Sequence, residues 1–305
     1  YRNGGGRRDF NIDPPTSSVH RKNYGSDELG DMNHVAPMVK LLWQLPTRRN
    51  LVFEVKYAYE DNNYNNSYAG QTTADFNANP HQQYVGYQLG EYNTEHHTSY
   101  VKFRAELSPN VKNVTTGYYN YFTRDWFKLD KVVSGGSSCS LETVVSKAAT
   151  GNCGTAALNI LKGSTAGQLR YKGNDRQYGA YGIMNETDFA FNTNIFGKNI
   201  GHKLKVGYKY HYDYHHRDQQ LHNFTQGVGG GITSHVGGVT QSDDRKETSE
   251  GHVAYFEESA TINNFVASFG ARFEYVDMHY RNGAGLTTNN LKEETFMFAP
   301  GGGLV

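Results

Sequence analysis

The stretch HKLKVGYKYHYDYHH, residues 202–216, alternates without a break. Leu204, Val206, Tyr208, Tyr210, Tyr212 and Tyr214 take one parity, while Lys203, Lys205, Gly207, Lys209, His211, Asp213 and His215 take the other. Successive side chains of a β-strand point to opposite faces. The segment therefore predicts a strand that is greasy and aromatic on one face and charged on the other. A soluble sandwich accepts such a strand with the greasy face turned inward. A membrane barrel accepts it with that face turned outward to lipid. The chain has 305 residues of which only 37% are hydrophobic, too few to fill a soluble core of this size. Its 23 Tyr and 34 Gly suit strands and interfacial rings better than helix cores. A barrel with a wet, polar lumen and a thin apolar band accommodates both facts.

The same period of two recurs along the chain. VKLLWQL aligns Val39, Leu41, Trp43 and Leu45, and LVFEVKYAYED sets Leu51, Phe53, Val55, Tyr57 and Tyr59 opposite Glu54, Lys56 and Glu60. YVKFRAEL sets Val101, Phe103, Ala105 and Leu107 opposite Lys102, Arg104 and Glu106. RQYGAYGIMNETDFAF aligns Tyr181, Ile183, Phe189 and Phe191 against Glu186 and Asp188, and NFVASFGARFEYVD aligns Phe265 to Tyr275 against Ser268, Arg272 and Glu274. NVTTGYYNYFTRDWFKL is strand-rich but less regular. Short connections (46–50, 108–112, 193–201, 263–264) alternate with long polar ones (63–95, 130–174, 217–250, 280–291). An up-and-down outer-membrane barrel has this signature, tight turns at one rim and large loops at the other. The expectation is an all-β, transmembrane antiparallel up-and-down barrel, present in part as about nine strands, with the long loops at one end. Tyr210, Tyr212 and Tyr214 then belong to an aromatic girdle near the outer rim.

Formal net charge is zero, so nothing argues for nucleic acid. No run of about 18 apolar residues offers a transmembrane helix, and YRNGGGRRDF lacks the apolar core of a signal peptide. The two cysteines, Cys139 and Cys153, share one polar, Gly- and Ser-rich stretch. A disulfide in an exterior loop is the preferred reading over two free thiols.

YAGQTTADFNANPHQQY (68–84), preceded by Glu60-Asp61, resembles a loop of the TonB-dependent receptors of the ferric-citrate group. TTGYYNYFTRDWFKLD (115–130), DRQYGAYGIMNETDFAF, GHKLKVGYKYHYDYHHRD and VAYFEESATINNFVASFGARFEYVD resemble, in order, four further stretches of that family. Gln71 replaces a family Leu, and Met184-Asn185 replaces a Glu-Pro pair. The matches cover about residues 50–280. The resemblance implies a larger barrel around a plug, in the outer membrane of a Gram-negative bacterium, among lipid and lipopolysaccharide. It implies energy drawn through the plug from a TonB–ExbB–ExbD complex. On this reading 38–305 is a partial barrel without its plug, 1–37 is an unassigned lead-in or loop, and PGGGLV stops within a strand.

Enzyme chemistry finds no support. There is no Gly-x-Ser-x-Gly elbow and no His-Glu-x-x-His helix, and GVGGGI (227–232) lacks the context of a phosphate loop. The expected ligand is cargo, an iron(III) chelate such as ferric citrate, with no intrinsic cofactor. An anionic chelate calls for cations where strands meet the long loops. Arg124 in FTRDW, Arg176 in NDRQY and Arg217 in HHRDQ are the candidates. His211, Asp213 and His215 share a strand face and offer metal ligands, though alternate residues lie about 6.5 to 7 Å apart. Haem, nickel or another siderophore as cargo, or a passive porin or adhesin barrel, remain as alternatives.

Overall fold

The computed structural model describes residues 2–3, 9–10, 32–47, 50–65, 69–146, 151–283 and 290–305. Tyr68 and most of the 1–37 lead-in lie outside the described residues. The long strands are β1 (Met32–Val35), β2 (Met38–Leu45), β3 (Leu51–Tyr64), β4 (Glu91–Ser108), β5 (Val111–Ser134), β6 (Gly167–Ile195), β7 (Lys198–Gln226), β8 (Thr240–Ile262), β9 (Phe265–Asn282) and β10 (Asn290–Leu304). From β3 onward each pairs antiparallel with its sequence neighbour in one continuous sheet, while β1 and β2 both pair with β3. Ala36-Pro37 separates β1 from β2. Counted together they make one crossing, and the frame has the nine crossings expected. Met32–Val35 already belong to the sheet, so the wall begins before residue 38.

The turns at one end are short. Phe196 and Gly197 both have positive φ (51° and 78°), as a two-residue turn matched to strand twist requires. The long connections from β3 to β4, β5 to β6, β7 to β8 and β9 to β10 leave the sheet at the other end, as the alternation predicts. The strands run further into them than expected. β6 and β7 have 29 residues each and remain paired from Ile195↔Lys198 to Gly167↔Gln226. At roughly 3.3 Å per residue this hairpin far exceeds a bilayer core of about 30 Å.

Register separates two faces. Val55, Val101, Ile183, Tyr210, Tyr275 and Phe296 fall in one row, and Tyr57, Tyr119, Tyr181 and Tyr212 in the next. These side chains belong to a broad exposed apolar face. Tyr212, one of the three tyrosines expected in a girdle, stands in this tyrosine row, with Tyr181 and Tyr212 ring centroids 5.1 Å apart. The tyrosines stop at β8, where Glu250, Asp277 and Glu294 continue the row. The irregularity of β5 also has a reason. Asn113 and Thr115 sit on the apolar face beside Asn185 and Thr187, and Asn113 donates to Thr187 (2.8 Å) while Asn185 donates to Thr115 (2.7 Å). The wall satisfies these polar groups within itself, as a lipid-facing surface demands.

Above the tyrosines the apolar parity finds a protein partner. Leu129, Val132, Leu169, Tyr171 and Phe224 are fully buried under a cap formed by the long connections. The cap includes α1 (Thr73–Ala78), α2 (Leu141–Ser146) and α3 (Thr155–Leu161). Cys139 and Cys153 are bonded, with Cα atoms 5.3 Å apart, and Cys139 lies in the cap core. Val85 packs where a Cβ on Gly163 or Gly230 would sit, both at positive φ. Gln88 Nε2 donates to Gly230 O (2.6 Å), and Gln226 Nε2 donates to Ile160 O. Three of the long connections thus share one packed core.

Candidate anion site on the polar face

Arg124, Arg176 and Arg217 are direct register partners, Arg124↔Arg176↔Arg217, and Arg245 on β8 extends the row. Four guanidinium groups therefore stand side by side on adjacent strands, about 4.8 Å apart strand to strand. Arg176 lies five positions beyond Tyr181, roughly 17 Å along the strand, on the cap side of the tyrosine row. All four have a buried Nε without a hydrogen-bond partner among the described residues.

Below the row lie Phe122, Tyr178, His215 and Glu247, and above it Trp126, Gln219 and Asp243. Arg176 donates to the Tyr178 hydroxyl (3.2 Å), whose ring stacks on His215 at 4.6 Å. Arg124 lies 5.7 Å and Lys128 3.9 Å from the Trp126 ring centre. Arg217 Nε is 3.1 Å from Asp243 Oδ2, an ion pair by distance whose angle makes no hydrogen bond. Burial, then the neighbouring Lys172, pushes the Lys128 ammonium below its usual range. Burial, then Asp244, holds the Asp243 carboxyl above its usual range, outweighing Arg176. Like charges directly opposite one another oppose folding, so this crowded cationic surface favours any anion that enters it.

The residues expected as metal ligands each face a partner of their own. His211 Nε2 lies 3.0 Å from Asp213 Oδ2, and its Nδ1 meets the Tyr118 hydroxyl. His215 turns instead to Glu247 (3.2 Å). His216 pairs with Asp244 on the apolar parity, and His222 packs on Phe127. Among the described residues no three His, Cys, Asp or Glu side chains group to hold a metal ion. Strand spacing separates the two histidines, and each already has a carboxylate. Tyr118 reaches His211 across β6 because Gly182, the register partner of both, has no side chain in the way. Sequence reasoning missed Arg245, because SDDRKETSE reads as a polar loop.

A continuous antiparallel up-and-down wall with one exposed apolar face and one charged face is the architecture of a β-barrel membrane protein. Solved structures share it. The ferric citrate transporter FecA in its unliganded form superposes with a TM-score of 0.60 at 17% identity, over 90% of this chain and 33% of that one. The siderophore receptor PiuA from Acinetobacter baumannii gives 0.55 at 12% identity, over 90% and 40%. The ferric-catecholate import receptor Fiu from E. coli K12, in its open form, gives 0.50 at 12%, over 90% and 43%. The chain thus spans a third to just over two fifths of the length of these proteins, and at such identities the likeness is one of fold. No family model and no curated protein matches the chain. No described helix is long and apolar enough to cross a membrane, which says nothing about crossing by strands.

Proposed function

We propose that the chain is part of the wall of a TonB-dependent outer-membrane receptor that takes up a ferric chelate of the citrate type. The observation that carries this reading is the row Arg124–Arg176–Arg217–Arg245 on the polar face, beyond the tyrosine row on the side of the long connections. With its apolar face turned to lipid in an outer membrane, the wall would present this row to the vestibule open to the exterior. Citrate complexes of iron(III) are anionic, and guanidinium forks hold carboxylates in pairs. The fold shared with a ferric citrate transporter, a siderophore receptor and a ferric-catecholate import receptor supports the same class. Uptake would draw on TonB–ExbB–ExbD through a plug, with lipopolysaccharide around the rim, and the role is transport rather than catalysis.

A second cargo class has its own support. His215 Nε2 is buried and has no hydrogen-bond partner among the described residues while Nδ1 is held by Glu247, so this nitrogen suits nickel or haem iron. Binding of ferric citrate, nickel and haem to the intact receptor separates the two. Arg124→Ala, Arg176→Ala, Arg217→Ala and Arg245→Ala should each weaken ferric citrate binding about ten- to a hundred-fold, the worth of one charge-assisted bond at a partly wet site. If ferric citrate does not bind while His211→Ala and His215→Ala abolish uptake of another metal, the cargo is wrong and the transport class stands.

A further inference from the structure

On the reading of the arginine row as a cargo site, we propose that Asp243 is a built-in counter-anion that a polyanionic cargo displaces, so that it sets how the site discriminates by charge. The row is not evenly compensated. Asp243 Oδ2 lies 3.1 Å from Arg217 Nε and 3.8 Å from Arg245 Nε, and Glu247 Oε1 lies 3.9 Å from Arg245 Nε. No carboxylate lies within ion-pair reach of Arg124 or Arg176 among the described residues. Their contacts are the Trp126 ring and the Tyr178 hydroxyl. The row therefore has an open half on β5 and β6 and an occupied half on β7 and β8.

Its length turns this asymmetry into selectivity. Three strand intervals of about 4.8 Å set Arg124 and Arg245 roughly 14 Å apart. A small anion spanning one interval meets only Arg124 and Arg176 and leaves Asp243 in place. A chelate bearing several carboxylates extends to Arg217 and Arg245, where a carboxylate already sits. Each cargo carboxylate there replaces Asp243 rather than filling an empty fork, so the occupied half contributes less affinity than the open half. Asp243 retains partial access to solvent, with its side chain 20% exposed, so it can swing out when displaced. Asp244, the next residue, points to the opposite face and pairs with His216 at 3.0 Å. It carries the same charge at the same height without touching the row, which makes it the control.

The test uses the intact receptor in detergent, titrated with ferric citrate, free citrate and succinate for wild type, Asp243→Asn and Asp244→Asn. Asp243→Asn should tighten ferric citrate about ten-fold, with a smaller gain for succinate. It should also steepen the fall of affinity with salt, a change that a merely structural role would not produce. Asp244→Asn should leave all three affinities within about two-fold, the range for a screened charge outside the site. If wild type binds ferric citrate and Asp243→Asn binds it equally or less tightly, or Asp244→Asn tightens it as much, the counter-anion role is overturned and the cargo reading stands. If only citrate and succinate bind and show the gain, the role stands and the ferric cargo falls. Binding of none of the three to any variant overturns both.

Discussion

Tyr84→Phe removes one oxygen from the centre of the cap. The Tyr84 side chain is buried, and its hydroxyl donates to Asp75 Oδ2 (2.5 Å) while accepting from Thr72 N (2.8 Å). Asp75 also holds Lys162 Nζ at 2.8 Å, tying α1 to the residue after α3. A hydrogen bond to a charged group contributes about 1.5 to 3 kcal/mol, and the lower part of that range applies because the Asp75 side chain is 30% exposed. The orphaned Thr72 N–H adds about 1 kcal/mol. The ring keeps its packing on Tyr87, so the total is about 2 to 3 kcal/mol of local cap stability. Hydrogen exchange of segments 84–90 and 155–163 should accelerate about thirty- to a hundred-and-fifty-fold, with β6 and β7 near the tyrosine row unchanged. The pH limbs sharpen the test. Burial alone would raise Asp75, but hydrogen bonds from Lys162, Tyr84 and Thr72 together hold it below its usual range. The contribution of Asp75 to cap stability is therefore fully present above about pH 4 and is lost as pH falls through the depressed value. Burial, then the bond to Asp75, pushes Tyr84 up to about 12. Its contribution is constant below about pH 10 and is lost as pH climbs toward that value, roughly 2 to 3 kcal/mol in all. In Tyr84→Phe this alkaline loss should disappear from the cap while the acid loss remains. Acceleration below about three-fold, or equal acceleration in the strands, refutes the assignment of this hydroxyl as the cap's central tie.

Gly182→Ala should destabilise the barrel by about 1 to 3 kcal/mol in thermal unfolding, because its Cβ would meet the Tyr210 carbonyl and the Tyr118 hydroxyl. Gly117→Ala, whose Cβ has its nearest neighbour at 4.0 Å, serves as the tolerant control. Phe196→Asn should stabilise the β6–β7 hairpin by about 0.5 to 1 kcal/mol in denaturant unfolding, since a bulky exposed residue holds a positive φ that Asn adopts more readily. Cys139→Ser with Cys153→Ser opens a loop of sequence separation 14 and should cost the cap about 3 kcal/mol, read as faster proteolysis between 135 and 166.

The strands of the wall were legible because a one-residue slip would put every apolar side chain on the wrong face. Alternation in residues 51–60 and 202–216 therefore carries their assignment. It carried too little beyond the tyrosine row. DQQLHNFTQ and TQSDDRKETS extend β7 and β8, yet they read as loop because polar residues occupy both parities there. The same blindness hid Arg245, since its place in the arginine row depends on a register that also contains a bulge at Gln219/Gln220. The three chosen arginines followed from the resemblance and from the charge of the expected cargo, and only pairing shows that they form a row. The cap was illegible for a different reason. Its core joins Tyr87, Leu129, Val144, Leu161 and Phe224, no more than three residues from each of several polar segments, so no single window carries a periodic signal.

The cap also dictates an order of assembly. Each hairpin closes between neighbours, as Ile195 meets Lys198 across a two-residue turn, so its contact order is low and its loop-closure entropy small. The contact from Gln88 to Gly230 spans 142 residues, and Val85 fits against Gly163 and Gly230 only when both are in position. Before β4 to β7 have zipped together, those groups lie on separate, freely moving connections. Closing them then would cost entropy with no wall to pack against. The wall must therefore form from its short turns toward its long loops, and the cap must close last. Pulse-labelled hydrogen exchange during refolding should show protection of 84–90 lagging behind that of 180–212, and simultaneous protection would contradict this sequence of events.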